Sequence, residues 1–170
     1  MSVWVAFKAN LLNHQSDPHI TLAYLPTEPT PRHLNSLVAL TSEFRATFAA
    51  PFFIHPLSVA LFMPLAVSPV RVLKVLLPPS ILRQSKIFRD DIQNHGFPLD
   101  TTYSFTPHIT IKPSHYYHDR IPLPNDPRLT SSPTNEFPIS SPLLFPPISV
   151  TEIFIHNDEA DTRTVFYLPK

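Results

Sequence analysis

The residues best suited to chemistry in this chain come as a tetrapeptide that occurs twice, Pro18-His19-Ile20-Thr21 and Pro107-His108-Ile109-Thr110. Each copy lies in a run that reads as a strand, PHITLAYL and PHITIK, and side chains on a strand alternate between its two faces. His19 and Thr21 therefore share one face while Ile20 takes the other, and the same division holds for His108, Thr110 and Ile109. A strand backed by isoleucine into an apolar layer holds one imidazole and one hydroxyl rigidly. Two such strands facing one cleft would surround a reacting group with two histidines and two threonines.

Histidine titrates near neutral pH, so two imidazoles on opposite sides of a pocket can serve as general base and general acid in one displacement. Phosphodiester transesterification needs that pair: one takes a proton from the attacking hydroxyl, the other protonates the leaving oxygen. The Thr21 and Thr110 hydroxyls would donate to the nonbridging phosphate oxygens. This scheme requires no metal and no cofactor. The rival reading is a metal site, but the two motifs supply two imidazoles and no carboxylate at the ligating position, short of the three protein ligands of a catalytic zinc.

With 170 residues and 43% hydrophobic content, the chain is long enough for one compact core, and a single domain over residues 1–170 is expected. Thirteen basic residues balance thirteen acidic ones, which argues against tight, sequence-independent binding of long nucleic acid and leaves small anionic ligands open. The absence of cysteine excludes disulfides, thiolate zinc sites and cysteine nucleophiles. The N-terminal VWVAF is too short for a signal-peptide core, and no apolar stretch of about eighteen residues occurs. A soluble, cytoplasmic monomer with no membrane contact is the expectation. There are 22 prolines and one glycine, Gly96, so turns must rely on Pro, Asn, Asp and Ser.

The elements that must position the motifs follow from periodicity. Residues 2–8 alternate as a strand, with Val3, Val5 and Phe7 toward the core and Trp4 and Lys8 toward a cleft; residues 18–25 form the first motif strand. A helix capped by Thr30, with Pro31 at its first position, buries Leu34, Leu37, Val38 and Phe44. Residues 52–62 and 70–77 read as strands, Pro56 and Pro64 marking an edge or interruption. A second helix, capped at Ser80, runs to His95 with Ile81, Phe88 and Ile92 inward and Arg83, Lys86, Arg89 and Asp90 outward. It stops at Gly96, as a left-handed C-terminal cap demands. The second motif strand is expected over 101–112. Residues 115–147, rich in proline and serine, should hold little regular structure and cover the surface or a site. A terminal hairpin joins 149–156 to 163–168 across NDEAD, with Glu152, Phe154 and His156 on one face. The order β-β-α-β-β-α-β-loop-β-β is an α+β pattern with two similar halves.

The paired Pro-His-Ile-Thr strands, half a chain apart and each followed by apolar residues, resemble the signature of the 2H phosphoesterase superfamily. That group includes LigT-like 2′-5′ RNA ligases, cyclic nucleotide phosphodiesterases and phage anti-defence enzymes that destroy cyclic oligonucleotide signals. The resemblance spans nearly the whole chain. It implies a bilobed α+β fold, two antiparallel sheets with flanking helices around a central cleft, each lobe donating one motif. It also implies His19 and His108 as the acid–base pair and Thr21 and Thr110 as phosphate ligands. The compact chain, its near lack of glycine and its balanced charge are closer to the small phage-type members.

The expected partner is thus a small nucleotide or cyclic oligonucleotide, with RNA ends as the alternative for a 2′,3′-cyclic phosphodiesterase or 2′-5′ ligase. A noncatalytic nucleotide- or RNA-binding module is the competing class, disfavoured because binding alone does not need paired proton donors. Trp4 as a stacking surface, Lys8 and Lys112 as phosphate contacts, and Tyr103 and Tyr116 as base-stacking residues complete the expected substrate site. Phe105 and Tyr117 are further aromatics near the second motif. His115, His118 and His156 are read as surface or structural, and His14 has no role.

Overall fold

The computed structural model describes residues 2–10, 18–27, 29–62, 70–101, 104–111, 126–132, 134–139 and 146–170. Among these residues eleven elements follow in order: β1 (Val3–Asn10), β2 (His19–Leu25), α1 (Pro31–Ala46), β3 (Phe52–Phe62), β4 (Val70–Leu76), α2 (Pro79–Asn94), β5 (His108–Thr110), α3 (Pro127–Thr130), β6 (Glu136–Pro138), β7 (Ile148–Asn157) and β8 (Thr162–Tyr167).

The alternation of β1 is realised as expected, with Val3, Val5 and Phe7 fully buried and Lys8 partly exposed on the other face. Phe7 packs edge-on against Phe48 and Phe52, and Phe44 of α1 stacks on Phe88 of α2 at 4.3 Å. These rings tie the helices to the apolar side of the sheet, where each buried aliphatic or aromatic side chain contributes on the order of 1.5–3 kcal/mol.

The strands form one antiparallel sheet in the order β6-β3-β4-β5-β2-β1-β7-β8. The two expected sheets are therefore joined into one. The start of β3 pairs with β7 through Phe52–Val150 and Ile54–Ile148, while the rest of β3 pairs with β4. The sheet thus curls back on itself through six strands, with β6 and β8 outside that ring. On the other side, the halves meet where Ile20 of β2 pairs with Ile109 of β5.

Both helix ends follow from local chemistry. The Thr30 hydroxyl accepts from the His33 amide, and Pro31 takes the first turn of α1. At the end of α2, Gly96 adopts φ +82°; its amide bonds the Gln93 carbonyl and the Phe97 amide that of Ile92. That is the pattern of a Schellman cap, which only glycine enters without a Cβ penalty. Pro56 lies at a bulge in β3, where Leu57 is the extra residue between the pairs Pro56–Val75 and Ser58–Lys74, a position that tolerates its missing donor. Pro64 lies outside the described residues.

Two expectations need correction. The second motif strand is three residues long instead of spanning 101–112, since Pro107 has no amide to donate and the chain before it leaves the ladder. Among its described residues the proline-rich 115–147 segment holds the sparse regular structure expected of it: Leu129 of α3 is fully buried, and β6 adds to β3 through Ser58–Pro138 and Ala60–Glu136. Helix α2 begins at Pro79, with Pro78 and not Ser80 in the capping position, because proline preorganises a first turn. The terminal hairpin is present as β7–β8. Among the described residues no helix is long and apolar enough to cross a membrane.

Candidate functional site

Ile20 and Ile109 are both fully buried and face each other across the β2–β5 pair. Directly opposed residues point to the same side of a sheet, so the residues flanking each isoleucine project together onto the opposite face. The antiparallel register directs His19 toward Thr110 and Thr21 toward His108. The two histidines then lie on a diagonal of such a pair, where backbone separations of about 7–8 Å are usual. A separation of that order leaves room for a tetrahedral group, with a hydroxyl on each flank.

Each histidine also has a lysine across the strand on its other side. Lys8 of β1 is opposite His19 and Lys74 of β4 is opposite His108. Each lysine is held by a glutamate: Lys8 pairs with Glu152 of β7 at 3.4 Å, and Lys74 binds Glu136 of β6, whose other oxygen accepts from Ser58 at 3.2 Å. The two halves thus repeat a unit of histidine, lysine and glutamate about the Ile20–Ile109 pair. Lys8 was expected at the site; Lys74 was not. Its signal lay in the alternation of VRVLKVL, which places Lys74 and Val72 on one face.

The surroundings of the two imidazoles differ. His108 is partly buried, with Phe62 at 4.7 Å. Its Nδ1 lies 2.7 Å from the Thr106 carbonyl, which can only accept; Nδ1 therefore carries a proton and, in the neutral ring, Nε2 keeps the lone pair. Burial pushes the His108 pKa below the ordinary imidazole value, partly offset by that carbonyl. His19 lies parallel to Trp4 at 6.2 Å and has Phe154 edge-on at 5.9 Å. Trp4 in turn stacks on His156 at 4.4 Å, and His156 pairs with Asp158 at 3.5 Å. Trp4 is thus layered between two imidazoles, a position that explains the structural reading of His156.

A cavity of about 540 Å³ opens beside Thr21 and His108, with Tyr24, Phe62, Phe105, Arg89 and Asp100 among its walls. Arg89 is a correction: expected to point outward from α2, it faces this cavity. The cause is a bulge in β2, where Leu22 is the extra residue between the pairs Val5–Ala23 and Ala6–Thr21. The Arg89 guanidinium donates to the Leu22 carbonyl and lies 5.0 Å over the Phe105 ring. Burial lowers its pKa, opposed by the charges of Asp90 and Asp100. No helix periodicity reveals such a role, since it depends on a strand irregularity far away in sequence. Tyr103, Lys112 and Tyr116, expected to bind substrate, lie outside the described residues, as do His14, His115, Tyr117 and His118. Among the described residues no three His, Asp or Glu side chains are grouped to hold a metal ion.

No family model and no curated protein matches the sequence. Solved structures match its fold over nearly the whole chain. A Thermus thermophilus protein, TT0787, is 17% identical with TM-score 0.58, covering 99% of this chain and 96% of that one. A protein named as a phosphoesterase is 13% identical with TM-score 0.56, over 99% and 98%. E. coli LigT, solved with ATP, is 12% identical with TM-score 0.45, over 99% and 95%. The α+β, phosphoesterase-like fold that the paired motifs implied is the one observed.

Proposed function

We propose that this chain is a 2H-type phosphoesterase, a metal-independent phosphodiesterase that cleaves small nucleotides or cyclic oligonucleotides with His19 and His108 as its acid–base pair. One observation carries the reading: two His-x-Thr strands are registered against each other at Ile20–Ile109, which turns two distant motifs into one set of two imidazoles and two hydroxyls. The fold shared with a phosphoesterase supports it. A binding module would need neither the second histidine nor its tautomer-fixing carbonyl.

The differences between the histidines divide the roles. His108, favoured as the neutral ring with its lone pair on Nε2, is the general base that takes the proton from a substrate 2′-hydroxyl. The 2′-oxygen attacks phosphorus, the bond to the leaving 5′-oxygen breaks, and His19, on the other strand, gives that oxygen its proton. Thr21 and Thr110 donate to the nonbridging oxygens, while Lys8 and Lys74 supply positive charge where negative charge accumulates. The product carries a 2′,3′-cyclic phosphate. Because the nucleophile is part of the substrate and close to phosphorus, proximity supplies much of the rate.

The test is product identification with EDTA present, using cyclic dinucleotides, cyclic trinucleotides, 2′,3′-cyclic mononucleotides and RNA fragments. Ribonucleotide linkages should be cleaved to 2′,3′-cyclic ends and matched 2′-deoxy linkages should stay intact. Activity that collapses in EDTA and returns with zinc or manganese would overturn the reading, and equal cleavage of the deoxy linkage would overturn the internal nucleophile. Cleavage confined to RNA ends would redirect the assignment to a 2′,3′-cyclic phosphodiesterase.

A further inference from the structure

The cavity beside Thr21 and His108 adjoins the second motif's histidine, and its walls differ in kind from the site itself. Phe62, Phe105 and Tyr24 give it aromatic surface, and Arg89 and Asp100 bring a guanidinium and a carboxylate to the same space. We infer that this cavity is a purine subsite, taking the base of the nucleoside whose 2′-hydroxyl His108 activates. The inference rests on the phosphoesterase reading above.

Four features carry it. The volume of about 540 Å³ falls within the range of small-molecule pockets. A nucleobase presents a flat π-face that stacks on aromatic side chains. Phe105 already has one planar group over it, the Arg89 guanidinium at 5.0 Å, so the pocket is built in layers. The Leu22 carbonyl engages one of the five guanidinium donors. The other donors match the adjacent O6 and N7 acceptors of guanine, the acceptor pair that arginine reads most often, and a carboxylate has the capacity to accept from base N–H groups. Pyrimidines offer a smaller stacking face and lack the O6 and N7 edge that guanine presents. Guanine is therefore the favoured base, adenine the second.

Among the described residues this cavity lies on the His108 side, while His19 is flanked by Trp4 and Phe154, and Phe154 is fully buried. Base selectivity should therefore act on the nucleoside that supplies the hydroxyl, and the leaving nucleoside should be read weakly.

Titration calorimetry with the 3′-monophosphates of guanosine, adenosine, uridine and cytidine tests this without requiring turnover. The purine nucleotides should bind about tenfold or more tightly than the pyrimidine ones. Phe105→Ala should bring the four within about threefold of one another. Asp100→Asn, on an exposed residue outside the core, should weaken guanosine 3′-monophosphate about tenfold and keep the protein folded. Equal binding of the four, a pyrimidine preference, or a purine preference that survives both substitutions would overturn the inference. Cleavage of ribodinucleotides, followed in parallel, separates the two readings. Cleavage with no preference at the first nucleoside removes the purine subsite and leaves the phosphoesterase. Purine-selective binding with no cleavage of any ribonucleotide linkage does the reverse.

Discussion

Ile20 on β2 and Ile109 on β5 pair directly across the sheet, and both are fully buried. Their side chains anchor the junction between the halves of the molecule from the apolar side, while the residues on either side of each project onto the open face. A slip of one residue in this register would set the isoleucine of one strand opposite a polar residue of the other, turning one strand's histidine into the core and its isoleucine out. The burial of two isoleucines, worth on the order of 1.5–3 kcal/mol each, therefore fixes the geometry of four polar groups on the opposite face.

Protonation of His108 gives the first prediction. Burial holds its folded pKa below the unfolded value, which is about 6.5. Between those two values the unfolded chain binds more protons, so stability rises with pH there. The contribution is fully present above the unfolded pKa and is lost as pH falls toward the folded one. Denaturation at about pH 7.5 and about pH 5 should show a smaller difference in His108→Gln than in the native chain. In kinetics, the acid limb of kcat/KM should lie below the ordinary imidazole range; an acid limb at or above it would reassign the base.

The lysines give the second. Lys8 and Lys74 stand opposite the two histidines in equivalent positions. Lys8→Gln and Lys74→Gln should each lower kcat/KM by about tenfold, and the deficit should shrink as added salt screens the remaining charges. If only one of the two substitutions has an effect, the twofold character of the charge arrangement is disproved.

Trp4 supplies a third, on stability. Its indole Nε1 is buried with no hydrogen-bond partner among the described residues, while its ring stacks on His156. Trp4→Phe keeps an aromatic face and removes an unsatisfied donor, so it should cost less than about 1.5 kcal/mol. Trp4→Ala should cost about 3–5 kcal/mol. Urea denaturation of both variants checks the ordering, and equal losses would show that the indole N–H, and not the ring, is what the site requires.

Much of this was legible in the sequence because it depends on short-range periodicity. The period-two alternation of VWVAFK and PHIT fixed which side chains of β1, β2 and β5 face the core, and Thr30, Pro31 and Gly96 marked helix ends by their own stereochemistry. What stayed hidden depends on irregularity or on distant partners. Arg89 reads as a solvent-facing helix residue until the bulge at Leu22 presents it with a carbonyl. Lys74 gains meaning only when β4 is set beside β5. Glu136 sits in a segment whose prolines conceal a three-residue strand, stabilised by its pairing with β3. The assignment of base and acid likewise needs the Thr106 carbonyl against His108, a contact between residues that no face pattern distinguishes.

The central claim is that His19 and His108 act together on one phosphodiester. The most direct measurement is single-turnover cleavage of a ribodinucleotide in EDTA by the native chain, His19→Ala, His108→Ala and the double variant, each confirmed folded by circular dichroism. Each single variant should lose about 10²–10⁴-fold in rate, the scale of general acid–base catalysis, and the double variant should lose little more than the worse single one, because residues acting as a unit are not additive. Native-like turnover by either folded single variant would contradict the account.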